Sequence, residues 1–232
     1  MKKLCLSLLL IVINHQIHSQ SKINVDAFKE LELNSGINVS LIQDGQEFIR
    51  LSDNLTKEDI EIKVIDGKLK ILSKEQSLGF NRLDSVHLII HYKSLSHISV
   101  IGNEKVSFEG MHKGSGLEIK LFDNSNLSLN EVKLDNLQVY TYGDSFLLIE
   151  NGYSEEAVYR CYSSSKINTI HMESDLSKVV SFGSNFIRVN ASELLDITSY
   201  GDTKIDYIGD LRLKKGIIDG RLKVKKILKE NL

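Results

Sequence analysis

His87 and His91 stand in an i, i+4 relation. That spacing can hold a metal ion when both residues lie on a helix. Here the surrounding run Val86-His-Leu-Ile-Ile-His-Tyr92 reads as a buried strand. On a strand the two rings share a face but lie about 13 Å apart, too far to bind one ion directly. His97, His112 and His171 are isolated in the sequence. Asp144 and Asp202 occupy equivalent places in a repeat of about twenty residues, so they could serve as an acid/base pair of the kind that cleaves polysaccharides. Three rungs separate them, about 14 Å at the spacing of paired strands. That exceeds the gap of a glycosidase carboxylate pair. Asn103, Asn124, Ser164 and Ser184 take the same place elsewhere. Asp, Asn and Ser all bond nearby backbone in turns, so turn capping is the expected role of Asp144 and Asp202. A nucleophilic Cys161 would want a histidine beside it, and no pattern supplies one. The sequence carries no glycine-rich phosphate loop and no Gly-x-Ser-x-Gly elbow. The expectation is no catalytic set, no cofactor and no metal.

The elements that would position these residues come from the repeat itself. Its centres read Ile101-Gly102-Asn103, Phe122-Asp123-Asn124, Tyr142-Gly143-Asp144, Tyr162-Ser163-Ser164, Phe182-Gly183-Ser184 and Tyr200-Gly201-Asp202. Four residues before each centre stand Ile98, Ile119, Val139, Tyr159, Val179 and Ile197. Four after it stand Val106, Leu127, Leu147, Ile167, Ile187 and Ile205, and six after it Phe108, Leu129, Ile149, Thr169, Val189 and Tyr207. These columns are rich in β-branched residues, and the last two share one face of a strand. Gly allows positive φ at the centre, so a strand, a turn and a second strand recur. A circuit of about twenty residues measures about 66 Å at strand rise, enough for three short sides. Val132 and Leu134 supply a third side. The predicted fold is all-β: a parallel β-helix, right-handed by the usual rule for parallel crossovers, with its apolar columns inside. A leucine-rich horseshoe needs a helix or an asparagine ladder, and a propeller needs about forty residues per blade.

Residues 24–97 lack the clear period but are β-rich. Ile60, Ile62 and Val64 alternate before Asp66-Gly67, and Leu69 and Ile71 after it, a hairpin pattern. No Gly-, Ser- or Pro-rich linker intervenes. Residues 20–232 therefore read as one domain, with 24–97 a cap and first rungs and 98–232 the regular rungs and C-terminal cap. Lys2, Lys3, the apolar run Leu4–Ile13 and the polar residues to Ser21 read as a secretory leader spanning 1–19, cleaved near Ser19 or Gln20. Cys5 begins that run, whereas a lipidated cysteine would end it. No second apolar run reaches membrane length. Cys161 is then the single cysteine of the exported chain. It shares a column with Val100, Leu121, Thr141, Ser181 and Ser199, and a small core-facing role is expected. The net charge of −2 offers nothing to nucleic acid. The chain has no proline, which suits unbroken strand ladders.

The ordered set Leu33-Asn-Ser-Gly-Ile-Asn-Val-Ser-Leu41, Ile60-Glu-Ile-Lys-Val-Ile-Asp-Gly-Lys-Leu-Lys-Ile71, Val86–Tyr92, Leu95, Ile98 and Val100-Ile-Gly102 resembles the bacterial family of putative auto-transporter adhesins with a head GIN domain. Gly36-Ile37-Asn38 is the naming tripeptide. The resemblance spans nearly all of 24–230. It implies a right-handed β-helix, exported to the periplasm, envelope or exterior of a Gram-negative, Bacteroidetes-like bacterium, and no enzymatic activity. Ser94 stands where relatives often carry proline, and Ser163 where glycine is usual.

Phe122, Tyr142, Tyr162, Phe182 and Tyr200 fall just before successive centres, which predicts a ladder of rings about 19 Å long. The ladder either sets the register of the rungs or forms a platform for sugar rings or a protein surface. A glycan or an envelope protein is the expected partner, and non-enzymatic adhesion the expected function. A polysaccharide lyase or hydrolase, or a purely structural envelope protein, are the alternatives. From Arg212 to Lys229 the chain is basic, which suits a solvated cap over the last edge or contact with anionic glycan.

Overall fold

The computed structural model describes residues 22–34, 37–52, 59–74, 87–228 and 230. The leader, Gly36, Val86 and Lys229 lie outside them. The early strands are β1 (Lys22–Asn24), β2 (Glu30–Asn34), β3 (Asn38–Gln43), β4 (Phe48–Leu51), β5 (Ile60–Ile65), β6 (Lys68–Ser73), β7 (His87–Tyr92) and β8 (His97–Gly102). The later ones are β9 (Lys105–Asp123), β10 (Asn126–Gly143), β11 (Phe146–Ile149), β12 (Gly152–Ser163), β13 (Lys166–Gly183), β14 (Phe186–Ile208) and β15 (Arg212–Lys226). They form a β-solenoid of about 6 turns about 20 residues apart.

Successive rungs pair in parallel from β8 through β9, β10, β12, β13 and β14 to β15. Register is strict where the sequence repeats: Leu121 lies beside Thr141, Thr141 beside Cys161, and Cys161 beside Ser181. A slip of one residue would turn every apolar column outward, so the buried face fixes the register. Ile119, Val139, Tyr159, Val179 and Ile197 are almost wholly buried, as are Leu127, Leu147, Ile167 and Ile187. Val132 and Leu134 face inward on the third side. Tyr207 departs from its column. It is half-buried, while Ile208 beside it is buried. The alternation inverts between Ile205 and Asp206, which are both buried.

The repeat centres are backbone positions that favour glycine. Gly143 sits at φ 105, and a Cβ on it would stand 2.6 Å from the Asp123 carbonyl oxygen. Asp123 and Ser163 take the same left-handed turn at φ 60 and φ 85, a cost that short polar side chains tolerate best.

The N-terminal part joins the solenoid and also folds over it. β2 pairs in parallel with β6 and β8, and β3 with β7 and β9. β1 pairs antiparallel with β4, β4 with β7, and β5 with β6. Asp66 and Gly67 both have positive φ between β5 and β6, the two-residue hairpin turn that the Asp-Gly pair predicts.

Candidate functional site

Along each rung, residues alternate between the core and one flat outer face. Three columns line that face between β8 and β14. The first holds the predicted rings. Phe122, Tyr142, Tyr162, Phe182 and Tyr200 stack in order, with centroids 4.9, 5.0, 5.1 and 4.8 Å apart. Their planes differ by 9° or less. Tyr142 is 36% exposed and the other four are half-buried. Ile101 precedes Phe122 in the column, and Asp219 follows Tyr200. Each ring face is turned toward its neighbour, so solvent meets mainly ring edges and tyrosine hydroxyls. A sugar ring seeking a flat aromatic face finds little free face there. The stacking itself is a favourable contact beyond area burial.

The second column runs Ser99, Lys120, Tyr140, Arg160, Val180 and Thr198, and the third His97, Glu118, Gln138, Val158, Lys178 and Asp196. Their polar groups are tied together. Lys120 Nζ lies 2.7 Å from Glu118, which holds the Lys120 ammonium above the ordinary lysine range. Lys120 and Arg160 flank the Tyr140 ring at 5.7 and 5.2 Å from its centroid, within cation–π reach. Arg160 donates to the Tyr140 hydroxyl (3.2 Å), and that hydroxyl donates to Gln138 (3.0 Å). A shallow cleft of about 200 Å³ opens beside them, lined chiefly by His97, Gly116, Glu118, Asn136 and Gln138. The arrangement offers fixed donors, acceptors and one amphipathic ring on a rigid sheet. It is suited to hydrogen-bonding a hydroxyl-rich or polar surface.

The other sequence candidates are placed apart. His87 Nε2 meets Ser40 Oγ at 2.9 Å, while His91 Nδ1 meets Asp44 at 2.6 Å and stacks on Phe48. Ser40 also donates to Glu109 (3.1 Å). The acid therefore accepts from the serine and does not orient the histidine, as a nucleophilic triad requires. His112, isolated in sequence, is buried against Phe108 and accepts or donates at 2.8 Å with Tyr92. Burial pushes its pKa down to about 4. Cys161 is fully buried, and that burial pushes its thiol up to about 12, far from a thiolate nucleophile.

The turn-capping role expected of Asp144 and Asp202 belongs to the next residue. Ser125 donates to the Phe122 carbonyl (2.8 Å), Ser165 to the Gly143 carbonyl (3.1 Å) and Asn185 to the Phe182 carbonyl (3.0 Å). Ser125, Ser145, Ser165, Asn185 and Thr203 form a buried polar column. Its signal was present in the sequence as small polar residues at one fixed offset. Asp202 instead takes a bidentate pair with Arg221 on the next rung, which holds its carboxyl below the usual range. No group of three or more His, Cys, Asp or Glu capable of holding a metal occurs among the described residues.

The family pattern described as putative auto-transporter adhesin, head GIN domain, matches residues 27–210. The chain belongs to that family. Solved structures share the head GIN fold at low identity. A putative adhesin from Bacteroides fragilis is 20% identical, with a TM-score of 0.78 over 90% of this chain and 96% of that one. A putative adhesin from Parabacteroides distasonis is 18% identical, with a TM-score of 0.71 over the same shares. A protein of the same species named as a putative lipid binding protein is also 18% identical, with a TM-score of 0.66, again over 90% and 96%. No curated protein matches the chain. Of the tripeptide that names the head GIN family, Ile37 is wholly buried and Asn38 opens β3. The signature residues described thus belong to the core and its first rung. They are separate from the outer face of β8–β14.

Proposed function

We infer that this head GIN protein is a non-enzymatic binding protein of the bacterial envelope or cell surface, and that the outer face of β8–β14 is its recognition surface. The observation that carries the reading is the tethered array of Glu118, Lys120, Gln138, Tyr140 and Arg160 on three paired parallel strands. Such a surface suits a glycan or the polar surface of an envelope protein, with the edge-on aromatic stripe as its apolar border. The leader-like N-terminus supports export, and no described helix is long and apolar enough to cross a membrane. One structural relative is named for lipid binding, but here the interior is filled by the apolar columns, so a lipid would have only the outside to contact.

A glycan array probed with the purified protein tests the reading. Tyr140→Ala and Arg160→Ala should each weaken a hit by about tenfold, the loss expected when one anchored contact of about 1.4 kcal/mol is removed, while urea midpoints stay near the parent value. A hit that both variants retain at full strength would move recognition away from this face. Accumulation of an ultraviolet-absorbing unsaturated uronate product, abolished by Asp144→Asn, would replace the binding reading with a lyase. Intact mass from an envelope fraction tests export: a product that still carries residues 1–18 would end that part of the proposal.

A further inference from the structure

The large apolar side chains that remain exposed are concentrated at one end of the molecule. Leu213, Ile217 and Ile218 lie on β15 and Leu228 just beyond it, at 36%, 61%, 38% and 61% exposure. Among the described residues β15 pairs with β14 and with no other strand. Its inward positions continue the core columns: Leu213 over Leu195, Ile218 over Ser199, Leu222 over Thr203 and Val224 over Ile205. Beneath β15 those columns are buried, whereas on β15 Leu213 and Ile218 are exposed and Leu222 and Val224 only half-buried. A strand with a neighbour on one side only also presents a row of free backbone donors and acceptors.

Charge says what could lie on that edge. β15 carries seven basic residues against the single acid Asp219. β14 answers two of them from below, Asp196 pairing with Lys214 (2.7 Å) and Asp202 with Arg221, and Asp210 in the turn before β15 pairs with Lys226 (3.4 Å). Arg212, Lys215, Lys223 and Lys225 have no carboxylate at ion-pair distance among the described residues. On β14, Leu195, Ile197 and Ile205 face inward while Asp196 and Asp202 stand outward against cations of β15, so that neighbour already joins inward apolar side chains to outward carboxylates. A second copy meeting this end with its own β15 would set these cations against their like, which costs binding energy.

We propose that the β15 end is a docking site for an extended acidic segment of a partner protein, which adds as one further rung. Its backbone pairs with the free edge of β15. Its alternate apolar side chains cover Leu213, Ile218, Leu222 and Val224. Its carboxylates meet Lys223 and Lys225 as Asp196 meets Lys214. This is strand addition, with main-chain bonds giving affinity and side-chain alternation giving selectivity. It is independent of the β8–β14 face.

The test uses a labelled synthetic peptide that alternates Val with Glu over the length of β15, read by fluorescence anisotropy against the whole protein. A Val/Lys peptide and a peptide of the same Val and Glu composition arranged in blocks are the controls. The alternating acidic peptide should bind and the two controls should not. The double change Lys223→Glu, Lys225→Glu should weaken binding about fivefold, the loss expected from two exposed ion pairs. Both side chains are exposed, so the urea midpoint should hold. Tyr140→Ala should leave peptide binding unchanged, which separates this site from the lateral face. Failure of the acidic peptide to bind, equal binding of the blocked peptide, or binding indifferent to the charge reversal would each overturn the proposal. A concentration-dependent dimer in sedimentation, lost in the same double variant, would also overturn it by giving the edge to a second copy.

Discussion

At the N-terminal end of the solenoid, antiparallel strands fold over the first rungs: β1 on β4, β4 on β7, and β5 on β6. Phe48, Tyr92 and Phe108 are buried there, with His91 and His112 packed between them. At the C-terminal end β15 lies parallel on β14, and every residue from Arg212 to Arg221 is exposed. In a repeat protein each rung is held by its neighbours. A middle rung has two, the first rungs have a folded-over sheet as a substitute, and β15 has one among the described residues. The comparison teaches that the same repeat chemistry yields different local stability according to what lies above and below it. The C-terminal rung should therefore open first, as segments with few buried contacts do.

The largest expected effect comes from removing a core side chain with neighbours on both sides. Tyr159 is wholly buried, and its hydroxyl meets Thr169 at 2.8 Å. Tyr159→Ala should cost about 3–5 kcal/mol, read as a fall in the urea midpoint. Val224→Ala on β15 should cost under about 1 kcal/mol, because the half-exposed site loses little burial. Equal losses at the two sites would mean that β15 is covered in solution.

Next is a pH effect confined to the N-terminal end. The His112 pKa is lowered by burial from 6.5 to about 4. Above the unfolded value both states are neutral and the full stability is present. As pH falls from 6.5 toward 4 the unfolded chain takes up the proton and the folded one does not, so stability declines, by up to about 3 kcal/mol. His112→Gln should flatten that part of the pH–stability curve. As pH falls, amide protection, corrected for the slower intrinsic exchange in acid, should drop more around Tyr92 and Phe108 than in the middle rungs. An unchanged slope in the variant would exclude His112 as the cause.

A backbone test compares two left-handed turns. Gly143, at φ 105, is closed in by the rung below and has another rung above it. Gly143→Ala should cost about 1–3 kcal/mol. Gly220, at φ 113, meets the rung below as closely, with a Cβ there running into the Gly201 carbonyl oxygen, but has no described rung above it, so the strand can shift away and Gly220→Ala should cost visibly less. A larger loss at Gly220 would show that the open end is as rigid as the middle.

The smallest effect separates the middle of the aromatic ladder from its end. Tyr162 has ring neighbours at 5.0 and 5.1 Å, and Tyr200 has one at 4.8 Å. Tyr162→Ala should cost about 1–3 kcal/mol and Tyr200→Ala about half as much, at roughly 0.5–1.5 kcal/mol per stacked pair. Equal midpoints in both variants and the parent, with glycan binding lost, would assign the ladder to recognition.

Read from the residues alone, the period, the inward columns, the glycine-favouring turn and the Asp66-Gly67 hairpin were all legible. Each is a local preference repeated at a fixed offset, and repetition makes a weak signal additive. The five rings at one offset were legible as a ladder for the same reason. Which way their faces turn was not, because that depends on the rung spacing pressing each ring against the next. The array of Glu118, Lys120, Gln138, Tyr140 and Arg160 was also hidden. Its members come from three rungs and do not repeat, so only register brings them together. The same holds for Asp202 with Arg221, His91 with Asp44 and His112 with Tyr92. The sequence by itself determined a β-helix, its core columns and its turns, since nearest-neighbour stacking needs only a period. The tertiary structure decided the partners of each charged or aromatic residue and the unlike finish of the two ends. Those contacts join residues far apart in the chain, and no local preference encodes them.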